Sequence, residues 1–222
     1  RMIRLFKAKQ VDGIIVAPTK VSKIEIQNLV KEGYPLVLFD RYFPEMQTNY
    51  IIIDNEGSSY ELVKKMIDNG SSKIAIITTN PHLRTMNMRR EGYARALIEA
   101  NLPVDPDLYG EVTFVDYEKN DQIFSKVPDV DGFFFTTHIL ALEAFRYFYE
   151  KGININKGYE LACIHGVSAF RVLAPNMNIA RMPIEEIGKN AVRILLGDIK
   201  YRLENSTEKR EVETLVLPCS LP

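Results

Sequence analysis

The side chains with the greatest chemical capacity in this sequence stand at the ends of apolar runs. Asp40 and Arg41 directly follow Pro35-Leu36-Val37-Leu38-Phe39. In open α/β sheets ligands sit outside the carboxyl ends of the strands, and a carboxylate there can accept two hydrogen bonds from a ligand. The plainer role for Asp40 is to turn the chain or to pair with Arg41. Arg89 offers a rigid five-donor guanidinium fork suited to oxygen-rich ligands. Its plainer role is that of a solvated arginine at a helix start, with Arg84 and Arg90 as close neighbours. Thr137 can donate and accept through one hydroxyl. His138 either touches a ligand or simply opens a helix.

Other chemistries find no support. His82, His138 and His165 lack zinc-like spacing and Cys163 has no CxxC partner, so neither a metal nor a cofactor is expected. Gly-x-Gly-x-x-Gly, GxSxG and P-loop patterns are missing, and the carboxylates Asp129 and Asp131 lie on a polar turn beside a strand; no enzyme is expected and no catalytic residue is assigned. Lys and Arg total 28 against 29 Asp and Glu, a net charge of −1. Gripping DNA phosphates calls for a basic excess, so this chain by itself is a poor nucleic-acid binder. Cys163 and Cys219 lie far apart, which fits a reduced cytoplasmic compartment better than a disulfide scaffold. No apolar run reaches the roughly 18 residues of a membrane span, and the start carries no signal-peptide pattern.

Short β-branched runs alternating with amphipathic segments must position these groups, the pattern of parallel sheets with crossover helices. Strands are predicted at 11–17, 35–39, 50–53, 73–78, 111–115, 132–136, 160–164 and 215–217, with an extended segment at 178–182. Helices are predicted at 58–69, 89–100, 118–126, 138–151 and 183–196, and another opens at Ser22, which with Glu25 forms a capping box. On the last of these, Ile184, Ile187, Ala191 and Ile194 share one stripe. The helix from 139 to 149 is apolar on more than one face, which predicts burial on several sides and a two-fold interface on it or on a neighbouring patch. Phe133-Phe134-Phe135 and Tyr147-Phe148-Tyr149 read as core and interface.

Six stretches, in order along nearly the whole chain, resemble the sensor domain of LacI/GalR-family transcription regulators. They are Val11-Asp12-Gly13-Ile14-Ile15 with Pro18, Tyr34 to Arg41, Ile53-Asp54-Asn55-Glu56-Gly57, Asn69-Gly70 through Ile76, Arg89-Arg90-Glu91-Gly92-Tyr93, and Leu215 to Ser220. The resemblance implies two Rossmann-like lobes of parallel sheet flanked by helices, of the periplasmic-binding-protein type I kind. The expected N-terminal lobe takes 1–54 and 183–208, and the C-terminal lobe 55–182 and 209–222. It further implies that a helix-turn-helix head and the first lobe's initial strand, helix and second strand would precede Arg1. That first strand would lie beside the 11–17 strand.

The resemblance places Asp40 where family members hold a sugar hydroxyl and Arg89 facing the effector. Thr137 and His138 stand where the family has an Asn-Asp pair. His165-Gly166-Val167 replaces a Gly-Phe-Asp turn, putting Val167 at a lost carboxylate, and Met182 replaces a glutamine ahead of Pro183. Each lost partner leaves a sugar hydroxyl without its bond at a cost of roughly 1–3 kcal/mol. Neutral pentoses and hexoses are therefore expected to bind weakly, and a larger, less polar or anionic effector that uses Arg89 is expected instead. The implied function is an effector sensor that alters operator affinity, working as a homodimer in the cytoplasm, with DNA reached only through the head. The alternative is a solute-binding protein of a transport system.

Overall fold

In the computed structural model the described residues are 2–79, 83–112, 121, 123–125, 130–204 and 211–221. The chain divides into two units, the first formed by Arg1–Ile53 with Pro183–Leu217, the second by Asp54–Met182 with Pro218–Pro222.

In the first unit, β1 (Ile14–Val16), β2 (Leu36–Phe39), β3 (Asn49–Ile53) and β9 (Thr214–Leu217) form an all-parallel sheet in the order β1-β2-β3-β9. α1 (Met2–Ala8) and α2 (Lys23–Lys31) bury Ile3, Ile26 and Leu29 with Ile14, Leu36 and Leu38. The long α7 (Ile184–Glu204) buries Ala191 and Ile194 with Val37, Ile51 and Leu217. Gly13 leaves room for this helix, since a Cβ there would lie 2.7 Å from a Leu195 methyl.

Three expectations for this unit are corrected. Of residues 209–222, expected in the C-terminal lobe, 211–217 fall in the first unit, where β9 pairs with β3 from Tyr50↔Thr214 to Ile53↔Leu217. An edge strand's own apolar run does not say which sheet it joins. Ser22 does not head a box with Glu25: its hydroxyl donates to the Thr19 carbonyl (2.8 Å) and accepts from the Thr19 N–H (2.9 Å), while Glu25 pairs with Arg4 at 3.1 Å. Ile184 is 61% exposed, and the buried stripe of α7 begins a turn later.

In the second unit, β5 (Tyr109–Glu111), β4 (Ile74–Thr78), β6 (Gly132–Phe135), β7 (Glu160–Ile164) and β8 (Asn178–Ala180) form a second parallel sheet in that order. α3 (Asn55–Asp68), α4 (Arg84–Glu99), α5 (His138–Glu150) and α6 (Phe170–Leu173) complete it. Phe133, Phe135, Phe145, Phe148 and Phe170 make its aromatic core. Tyr149, grouped with Tyr147 and Phe148 in the sequence, is instead 86% exposed. α4 starts five residues before the expected 89, because its first turn is mostly polar and shows no apolar period. Strand β5 ends at Glu111, before most of the predicted 111–115 run; residues 113–115, most of the 118–126 helix, His82 and Asp129 lie outside the described residues. Asp131 accepts hydrogen bonds from the Ser72 N–H (2.7 Å) and the Lys73 N–H (3.0 Å), so it fastens a turn.

Candidate functional site

A parallel sheet sets all its strand carboxyl ends along one edge, and on the second unit the polar candidates gather there. Arg89 lies in the second turn of α4 and is only 5% exposed. Its Nε–H donates to Asn55 Oδ1 at 2.8 Å, and Nη1 donates to the carbonyl of Thr136, just past β6. The solvated helix-start reading of Arg89 is thus set aside; Arg84 holds that place, paired with Glu91 at 2.8 Å.

Three neighbouring residues explain why an arginine is held here. Asn55 opens α3 behind Asp54, whose carboxylate caps the helix by accepting from the Gly57 N–H at 2.9 Å. Gly92 lets α3 and α4 touch: a Cβ there would lie 2.2 Å from the Glu56 carbonyl oxygen and 2.8 Å from Ser59 Cβ. Tyr93 anchors α4 to the sheet, its hydroxyl donating to the Ile74 carbonyl at 2.7 Å, and burial pushes its phenol pKa up.

His138 is the first residue of α5 and His165 the first beyond β7. Their rings meet nearly edge to face, centroids 5.1 Å apart with 76° between planes. Both are half-buried. The His138 imidazole is held below its ordinary pKa by burial first, then by His165 and by the Arg89 charge; burial, then Arg89, lowers that of His165. His165 has a φ of 63°, in the left-handed region, and its carbonyl accepts from Cys163 Sγ at 3.2 Å. Cys163 and Cys219 are free thiols, both pushed up by burial, and Ser58 hydrogen-bonds Cys219.

The other expected residues carry less chemistry. Thr137 spends its hydroxyl capping α5, accepting from the Leu140 N–H at 3.4 Å. Val167 packs against the aromatic core. Met182 is half-buried, between Pro183 and Arg181, which exchanges backbone bonds with Ser220 at 2.8 and 2.9 Å. Asp40 belongs to the first unit, beyond β2, with a φ of 63°, and forms an ion pair with Arg41 at 3.4 Å. Sequence reasoning passed over Asn55 and His165 as site residues. The signal for Asn55 was a polar side chain directly behind a helix cap at a strand's end; for His165 it was a histidine directly after a buried strand. Among the described residues, no three of His, Cys, Asp and Glu are gathered to hold a metal ion, and no helix is long and apolar enough to cross a membrane.

Residues 63–221 match the family model of the periplasmic binding protein-like domain. The chain is 28% identical over 210 residues to the probable HTH-type transcriptional regulator EndR of Paenibacillus polymyxa, covering 92% of this chain and 62% of that protein. It is 28% identical over 201 residues to the ribose operon repressor of Haemophilus influenzae, covering 89% and 60%. The chain thus spans about three fifths of the curated relatives it matches. Among solved structures it resembles transcription regulator CcpA of Lactococcus lactis (TM-score 0.84, 23% identity, all of this chain and 80% of that one). It also resembles a CelR–cellobiose complex (TM-score 0.83, 24% identity, all of this chain and 68% of that one). The chain belongs to the periplasmic binding protein-like domain family.

Proposed function

We propose that this chain is the ligand-sensing part of a bacterial transcription regulator, and that a small effector held at the polar edge of the second sheet changes the intact protein's affinity for operator DNA. The observation that carries this reading is the buried Arg89, fixed by Asn55 and Thr136 beside His138 and His165. A buried guanidinium is costly to desolvate, and it is held here at strand carboxyl ends, where open α/β folds take their ligands. Val167 and Met182, which follow strands of the same sheet, supply apolar lining at that edge. The similarity to an HTH-type transcriptional regulator and to an operon repressor supports this role over transport. The role is one of binding, without a catalytic step.

The protein works in this reading as a cytoplasmic homodimer. Ile153, Val172 and Leu173 on the second unit are 43%, 83% and 42% exposed, and Asn156 ties their segments by donating to the Leu173 carbonyl at 2.7 Å. This apolar surface beside α5 is assigned to a second copy of the chain. Light scattering at high micromolar concentration is expected to show a dimer that Val172→Glu dissociates.

The sensing role is tested by thermal denaturation against a panel of neutral sugars, sugar phosphates and purines, repeated with Arg89→Lys. At least one compound is expected to raise the melting temperature of the native chain, by about 2–4 °C for each kcal/mol of binding, and to lose most of that effect in the variant. No stabilisation by any compound would overturn the reading.

A further inference from the structure

We infer that His138 and His165 form a proton-coupled oxyanion subsite: one proton enters the ring pair when a phosphate ester or carboxylate group of the effector docks beside it. The inference rests on the effector-sensing reading above and names the ligand chemistry of that same site.

Three observations carry it. First, two imidazoles meet at 5.1 Å just past the ends of adjacent strands, although the rest of α5 and all of β7 lie between them in the sequence. Second, His165 occupies a left-handed backbone conformation, φ 63°, which is uncommon for residues other than glycine. A strained residue persists where the surroundings hold it, and such positions cluster at ligand sites. Third, the neighbouring charge is the buried Arg89 guanidinium, which acts on both rings.

The charged group acting on both rings is Arg89 from α4, and His165 also acts on His138; the Cys163 thiol bonds the His165 carbonyl. Burial and Arg89 both disfavour protonation of the free pair. An oxyanion placed among them cancels the Arg89 field and favours the imidazolium form. The two rings repel if both are charged, so one proton enters. By linkage, the pKa of the pair is higher with the anion bound than without it. Affinity therefore rises as pH falls through the bound value and levels off below the free value. A neutral ligand gives no such coupling.

The test is an NMR titration of histidine ring resonances on the 222-residue chain, from about pH 8 to about pH 5.5, with sulfate, acetate or ribose. Sulfate stands for a phosphate ester and stays ionised throughout; acetate stands for a carboxylate; ribose is the neutral control. The expected result is an upward shift of the His138–His165 midpoint with at least one anion, an affinity at least several-fold higher at the acidic end, and loss of both in His138→Asn/His165→Asn. Asparagine tolerates the left-handed region, so that variant keeps the local backbone. A shift with sulfate alone assigns a phosphate ester, and with acetate alone a carboxylate. Unchanged midpoints with both anions, or equal anion binding by the double variant, would overturn the inference. Ribose binding without any imidazole shift would overturn the anionic class while leaving the sensing role standing; failure of that role is read separately, in the ligand panel.

Discussion

Arg89 donates its Nε–H to Asn55 Oδ1 at 2.8 Å, joining the second turn of α4 to the first residue of α3, with both residues at least 95% buried. The same guanidinium reaches the Thr136 carbonyl, so one side chain fixes two helices and a strand end. Arg89→Met withdraws both bonds while keeping most of the volume. Hydrogen bonds to a charged group contribute about 1.5–3 kcal/mol, and urea denaturation is expected to show a loss of about 2–3 kcal/mol. A loss below 0.5 kcal/mol, on the order of an ordinary surface substitution, would contradict the clamp.

Two glycine substitutions should act in opposite directions. Gly92→Ala places a Cβ 2.2 Å from the Glu56 carbonyl oxygen and must separate α3 from α4. Overpacking of this kind costs typically about 1–3 kcal/mol. Gly188, in α7, has nothing within 4 Å of its hypothetical Cβ. Gly188→Ala is expected to stabilise by about 0.5–1 kcal/mol, through the restricted unfolded chain. Thermal denaturation of the pair decides it.

Tyr93→Phe removes the hydroxyl that bonds the Ile74 carbonyl at 2.7 Å in the core. The expected loss is about 1–2 kcal/mol, with the dichroism spectrum of the folded state unchanged. A neutral result would mean that the hydroxyl does not hold α4 to β4.

The two thiols should differ in reactivity. Cys163 is fully buried and Cys219 half-buried, and burial raises both thiols and so suppresses the reactive thiolate. A disulfide reagent is expected to label Cys219 slowly in the native protein and Cys163 only after denaturant is added. Prompt labelling of both would contradict the packing of β7.

Stability should fall in mild acid. The imidazoles of His138 and His165 are lowered in the folded state, so below the ordinary histidine value of about 6.5 the unfolded chain binds protons more readily. Their contribution is complete above that value and is lost as pH falls through the folded values. The His138→Asn/His165→Asn variant should show a flatter stability profile between about pH 7 and about pH 5. Parallel profiles would contradict the assignment.

Much of the architecture was legible because buried parallel strands announce themselves as β-branched runs, as at Ile51-Ile52-Ile53 and Ile74 to Ile77. Sheet membership was not. Leu215-Val216-Leu217 reads as a strand, yet its pairing with β3 is fixed by the course of α7, which local pattern does not encode. At the site, Arg89 stood out through the resemblance of its segment, while its partner Asn55 entered only as part of the resembling stretch Ile53 to Gly57 and was given no role. The choice between burial and solvation for Arg89 depended on where α4 begins. That start lies in a turn, Arg84 to Asn87, without an apolar period. The Asp40–Arg41 pair could be anticipated because the residues are adjacent. The ring contact of His138 with His165 could not, since it joins residues 27 positions apart through adjacent strands.

The most direct test of the sensing account is the operator affinity of the intact gene product, measured by fluorescence anisotropy with and without a compound that stabilises this chain. The account predicts a change of about 5-fold to 150-fold in dissociation constant, the range of typical allosteric coupling, and its loss in Arg89→Lys. An operator affinity unaltered by a saturating, stabilising ligand would contradict it.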